Sequence, residues 1–229
     1  MKISKNRKNV MKDIDLEKIY EPSEAIKILK EKSFVSFNET VDVAINLKID
    51  SSKTDQNVKG IIKLPKGTGK VIKIAVVTSD DKLDQAKNNG ADLFGGNDLI
   101  ENISNSKVNF DVLIASPDMM SALSKVAKIL GPRGLMPNPK LGTVTNDIAK
   151  AVSDAKSGQV KYKNDKTGII HAGIGKLDFN EEDILENLKT LYSSIIKSKP
   201  DAVKGSFIKK VTIASTMGIG LNINQASLR

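Results

Sequence analysis

Cysteine is absent from the 229-residue chain, and histidine occurs once, at His171. Without thiols there is neither a disulfide framework nor a thiolate metal site, which fits a reducing compartment. A lone imidazole excludes metal ligation by a histidine pair. It also forces any Ser-His-Asp arrangement to use His171, and no nucleophile-elbow sequence is present. Tryptophan is missing too, with six Phe and three Tyr as the only aromatics, so a stacking platform for unpaired bases has little to build on. No apolar run approaches the length of a membrane span, and the basic N-terminus lacks the apolar stretch of a secretion signal. The expectation is a cytoplasmic, globular, non-enzymatic protein with no membrane contact, no metal and no cofactor; 39% hydrophobic residues suffice for a packed core.

Glycine motifs for nucleotides are missing as well. Gly69-Lys70 is followed by Val71, and Leu64 stands where a phosphate-binding loop needs its first glycine. The pairs Gly173, Gly175 and Gly218, Gly220 are followed by Asp178 and Ile223, where a dinucleotide fingerprint needs its third glycine.

What the chain has in surplus is positive charge: 36 Lys and Arg against 27 Asp and Glu, a net of +9. That balance points to an anionic partner, nucleic acid before membrane, because no strongly basic amphipathic helix stands out. Residues 67–157 hold 11 basic against 10 acidic side chains, whereas the flanks hold 25 against 17. Basicity therefore belongs to the two ends. Residues 1–66 and 158–229 are expected to form one unit, with 67–157 inserted between them.

Hydrophobic periodicity supports that division. Pro22 and Ser23 open a helix carrying Ala25, Ile26 and Leu29; Val41 to Ile49 alternate as a half-buried strand; Val58 to Leu64 form another, stopped by Pro65. After the glycines at 67 and 69, the apolar run Val71–Thr78, a helix from Asp80 to Asn89, a strand Ala91–Phe94, a helix Asp98–Ser104, a strand Phe110–Ala115 and a helix Pro117–Leu130 alternate as in a parallel sheet. Beyond Ser157-Gly158 come Val160–Lys163 and Ile169–Lys176 around the turn Asn164–Gly168, a helix capped by Asn180, and strands near Val211 and Leu221. The predicted fold class is an α+β discontinuous domain (antiparallel sheet with helices) with an inserted Rossmann-like α/β domain. The loop Ile129–Gly142, rich in proline and glycine, presents Arg133 and Lys140 from a stiffened backbone.

Three short segments in the flanking unit offer donors for phosphate and ribose: Phe37–Thr40, Lys163–His171 and Ser215–Gly218. They suit a structured RNA read through backbone, sugar hydroxyls and shape. A nucleotide-binding enzyme using the α/β insert is the alternative from another class, and an mRNA-only regulator a third reading.

Four runs, DQNVKGIIKLPKGTGK from Asp55, ILGPRGLMPNPKLGTV from Ile129, NDKTGIIHAGIGK from Asn164 and STMG from Ser215, resemble those of the family of large-subunit ribosomal protein one, in its order and spacing. The resemblance spans essentially the whole chain. It implies a first domain, made from both chain ends, that grips large-subunit rRNA at the stalk on the tRNA-exit side, and an inserted domain that swings on two hinges. It also implies help in releasing deacylated tRNA from the exit site, repression of the protein's own operon through the mRNA leader, and a monomer off the ribosome. Carried over by position, the RNA face comprises Phe37, Thr40, Lys163, Asp165, Lys166, His171, Ser215, Thr216, Met217 and Gly218. An acidic Glu39 or Asp165 in an RNA face is not contradictory, since a carboxylate can orient a neighbouring base or accept from a 2′-hydroxyl. Ser36 stands where many relatives have lysine, and Ile219 where a proline usually follows.

Overall fold

Residues 40–47 alternate between buried Val41, Val43, Ile45 and Leu47 and outward Asp42, Ala44 and Asn46. That period of two makes them a strand with one face in a core and one open. The computed structural model describes residues 5–12, 14–79, 83–105, 108–139, 142–203 and 205–228. Asp80, expected to open a helix, and Lys140 of the stiffened loop lie outside these residues. The chain divides into two compact units, 1–69 with 158–229, and 70–157.

The first unit contains α1 (Lys5–Lys12), β1 (Ile19–Tyr20), α2 (Pro22–Glu31), β2 (Thr40–Leu47) and β3 (Lys59–Lys63) from one chain end. The other end supplies β7 (Gln159–Lys163), β8 (Ile169–Lys176), α8 (Glu181–Lys197), β9 (Ile208–Ser215) and β10 (Leu221–Ile223). Five strands form a sheet in the order β1-β10-β9-β2-β8. The sheet departs from the expected antiparallel one at its edge, where β1 runs parallel to β10; two residues are too few to show alternation in sequence. α8 lays Ile184, Leu188, Leu191, Tyr192 and Ile195, and α2 lays Ala25, Ile26 and Leu29, against the inner side chains of β2, β8 and β9. Each large side chain removed from water there contributes roughly 1.5–3 kcal/mol before entropy is subtracted.

The expected hairpin is only a turn. β7 pairs with β3 in a separate two-stranded ribbon, β8 pairs with β2, and a single bridge, Asn164 with Ile170, links them. Asn164 is the cause: its buried side-chain oxygen accepts from Val58 N at 2.8 Å while its own N–H donates to Val58 O at 3.0 Å, tying β7 to the start of β3. Asn180 does sit at the N-cap of α8, but its amide donates to the Asp183 carboxylate rather than its oxygen capping a backbone N–H. Glu181, Glu182 and Asp183 in the first turn complement the helix dipole instead.

Gly67 and Gly69 belong with this first unit, beyond the boundary expected at Lys66. Asn187, fully buried on α8, accepts from Lys66 N at 3.1 Å and donates to Gly67 O at 3.0 Å and Ile174 O at 2.8 Å. Gly158 has φ +88, and a Cβ there would lie 2.4 Å from Gly67 Cα, so only glycine lets the departing and returning chain cross so closely.

The second unit contains β4 (Ile74–Val77), α3 (Leu83–Asn88), β5 (Leu93–Gly95), α4 (Asn97–Ser104), β6 (Val112–Ala115), α5 (Met120–Leu123), α6 (Ala127–Leu130) and α7 (Ile148–Lys156). Its sheet, β5-β4-β6, is parallel. β4 is buried at every position, with Ala75 and Val77 packed among α4 to α6 and Ile74 and Val76 among α3 and α7. Two expectations need correction. The strand begins at Ile74, and Val71 is 90% exposed. The helix expected over Pro117–Leu130 is interrupted by tight turns at Pro117–Met119 and Ser124–Val126, where the Ser124 hydroxyl donates to Ser121 O at 2.6 Å and competes with the helical ladder.

Asn187→Leu would leave one N–H and two carbonyls without their side-chain partner. We expect a loss of about 3 kcal/mol in urea unfolding of the intact chain; no change would show that these backbone groups are satisfied without Asn187.

Candidate nucleic-acid interface

The open face of the five-stranded sheet has little side-chain bulk. Register places Thr212, Ala44 and His171 in one row across β9, β2 and β8, and Ala214, Asp42 and Gly173 in the next. A Cβ at Gly173 would touch Asp42 Oδ1 at 3.3 Å and Thr40 Cγ2 at 3.4 Å, so glycine keeps this floor shallow between the two side chains. A bulge opposite Val41 and Asp42 brings Lys176 onto Thr40, with Nζ 2.9 Å from Oγ1. Asp42 has Lys176 and His171 as neighbours. Partial burial raises its carboxyl above the usual carboxylate range, while Lys176 and His171 pull it back down.

At the Thr40 end, β2 and the turn after β9 are locked together. Thr216 N donates to Thr40 O at 3.1 Å, and the Thr216 hydroxyl accepts from Thr40 N at 3.0 Å. Glu39, only 1% exposed, accepts from Met217 N at 2.7 Å and from the Ser33 hydroxyl at 2.8 Å. The Glu39 carboxylate is therefore spent inside the protein, fixing the turn, and is not left to face a base or a ribose. Ser215 is buried too, and Gly218 N closes the turn on Ser215 O at 3.1 Å. A Cβ at Gly218 would fall 2.3 Å from Ser215 Oγ, so the pair needs glycine for its close approach. Two apolar side chains remain outside, Phe37 at 53% and Met217 at 50% exposure.

The second cluster borders the same face through His171. Asp165 organises its turn: Oδ1 accepts from Thr167 N and Ile169 N, each at 2.8 Å. The Ile169 N–H, followed by the Thr167 hydroxyl, holds the Asp165 carboxyl below its usual range. Its Oδ2 lies 3.8 Å from His171 Nε2, and the imidazole is exposed rather than packed. Lys163, Lys166 and Thr167 are exposed around it, with Lys166 O accepting from the Ser51 hydroxyl. Thr40 is four steps along β2 from Ala44 in the His171 row, about 13 Å of strand. The two clusters thus lie at two stations along one sheet. Ser36 is exposed beside Phe37, whereas Ile219 is buried and lines a small cavity together with Ile14, Ile28 and Leu221.

The sequence points to Phe37, Thr40, Thr216 and Met217 around this turn but not to the floor beside them. Asp42 and Gly173 alternate outward next to Thr40 and His171, and that spacing was the available signal. Ser33 and Lys176, which hold Glu39 and Thr40, carried none. Among the described residues no group of His, Asp and Glu could hold a metal ion, and no helix is long and apolar enough to cross a membrane.

Fold and site together define a class: a two-unit protein whose basic α+β unit, with 25 Lys and Arg against 17 Asp and Glu, has a shallow polar sheet face open to solvent. The chain belongs to the Ribosomal protein L1p/L10e family, whose profile matches residues 29–219. It is 52% identical over 227 residues to the large ribosomal subunit protein uL1 of Pasteurella multocida, and equally to that of Haemophilus influenzae, covering 99% of both chains in each case. The Aliivibrio fischeri protein of the same name is 49% identical over 227 residues, 99% of this chain and 97% of its own.

Glu39→Ala would leave Met217 N and the Ser33 hydroxyl without their shared acceptor. The expected cost is about 1–3 kcal/mol by denaturant titration, with Glu39→Gln largely restoring stability; equal losses for both substitutions would deny the carboxylate oxygens this role.

Proposed function

We propose that the unit made from both chain ends is an RNA-binding domain of a structural large-subunit ribosomal protein, gripping a folded stalk segment of large-subunit rRNA on the tRNA-exit side. The contacts come from Phe37, Thr40, Lys163, Asp165, Lys166, His171, Thr216 and Met217, with Ser215 and Gly218 shaping the turn. In this reading the protein is cytoplasmic, works on the ribosome without enzymatic activity, and is a monomer off it. The inserted unit is a Rossmann-like α/β domain, movable at Gly67–Gly69 and Ser157–Gly158. It assists departure of deacylated tRNA, and the same RNA face recognises a similar fold in the protein's own mRNA leader to repress translation.

The observation that carries the reading is the clamp of Glu39 and Thr40 on the Thr216-Met217 backbone. A preset turn presents Met217 with no ordering cost at binding, and close backbone approach at Gly218 suits a ribose-phosphate edge. The small, polar sheet floor admits a helical surface read by shape, and the scarcity of aromatics suits duplex rather than unpaired bases. Family membership and the relatives' names support the ribosomal assignment.

Met217→Asp is expected to weaken binding of a stalk rRNA fragment by about 1–3 kcal/mol without lowering the melting temperature, because the side chain is exposed. Arg133→Ala in the inserted unit should have a far smaller effect. Equal losses from the two substitutions, read by filter binding at fixed salt, would refute the assignment of the face.

A further inference from the structure

Like charges directly opposite one another destabilise a pair of strands, yet the β3–β7 ribbon has such a pair. Lys59 stands opposite Lys163, Ile61 opposite Lys161, and Lys63 opposite Gln159. Directly opposed residues of an antiparallel pair share a face, so Lys59, Lys63, Lys161 and Lys163 occupy one side. All four are exposed, and the two strands themselves place no Asp or Glu on that side, where Ile61 and Gln159 are the other residues.

The reverse side is anchored. Ile62 and Tyr162 are buried in the core of the first unit, and the Tyr162 hydroxyl lies 3.2 Å from Ser194 Oγ and 2.8 Å from Ser198 Oγ on α8. Gly60 makes room for it: a Cβ there would fall 2.5 Å from that hydroxyl. The lysines therefore ride on a fixed plate and cannot separate by bending it. Five lysines outside the ribbon, Lys18, Lys27, Lys53, Lys66 and Lys70, each have a carboxylate oxygen within 4.0 Å. Lys59, Lys161 and Lys163 have no such partner among the described residues. Desolvation alone holds the Lys161 ammonium below its usual range, with no carboxylate offsetting it.

We propose that the outward face of the β3–β7 ribbon is a second phosphate-binding surface, which takes the sugar-phosphate backbone of a duplex segment adjoining the RNA docked on the open sheet face. The inference rests on the RNA-binding reading and extends it. Lysine ammoniums are point charges suited to phosphate oxygens, and residues two apart on a strand place them about 7 Å apart in a row. Continuity with the first face comes through Lys163, from which β7 runs directly into the Asp165–Gly168 turn. Neutralisation by phosphates would relieve the repulsion that the free protein carries.

The test is a titration of the full chain with a stalk rRNA fragment at several salt concentrations, comparing the natural sequence with Lys59→Thr/Lys161→Thr. The slope of log affinity against log salt should fall by about 0.7–0.9 for each lysine removed, and affinity in roughly 0.1 M salt should drop on the order of tenfold. The variant should melt no lower than the natural protein, since an opposed like-charge pair is gone; a purely structural role for these lysines would lower it. An unchanged slope alongside tight binding by the natural protein overturns the ribbon proposal alone. Failure of the natural protein to bind overturns both readings. Loss of binding to a polyglutamate peptide with RNA affinity intact would assign the ribbon to an acidic protein partner and likewise overturn the proposal.

Discussion

One strand from the first third of the chain is held on both edges by strands from the last third. β2 pairs with β8 along one side and with β9 along the other, both antiparallel. Neither chain end can complete this sheet alone, because each would expose a row of unpaired backbone groups and half of the core facing α8. Everything else in the basic unit depends on that closure. The Glu39 clamp reaches from the start of β2 to the turn after β9, Asn187 reaches from α8 to the departing chain at Lys66 and Gly67, and Asn164 fastens the returning chain to Val58.

Closure of this kind also explains where polar groups are spent. Glu39, Asn164, Asn187 and Ser215 are buried, and the first three bond to backbone across long sequence separations. A buried polar group is costly without partners and confers specificity with them, since only one register satisfies all of its bonds. The face left to solvent then consists of residues the fold does not consume: Phe37, Met217, His171 and a set of lysines.

Much of this was legible from sequence because it rests on periodicity and composition. Alternation along Val41–Leu47, the apolar stripe of α8 and the fall in net charge over the middle of the chain each report a local cause. The less legible parts rest on single side chains acting at a distance. Nothing local distinguishes Glu39 from a solvent-facing carboxylate; its burial follows from Met217 N, 178 residues away in the chain. The hairpin expectation failed for the same reason, since Asn164 looks like an ordinary turn residue until Val58 is beside it. Val71 reads as strand by propensity, but the ladder with β6 starts only at Ile74. Asp42 and Gly173 could have been found by extending the alternation outward from Thr40 and His171 rather than stopping at the motif residues.

Backbone amide exchange on the intact chain, with and without a stalk rRNA fragment, tests most directly whether the co-folded ends form the RNA-gripping body. Slowed exchange confined mainly to 37–42, 163–173 and 212–218, with 70–157 little changed, is the expected result. Protection concentrated in 70–157, or at only one of the two chain ends, would contradict it.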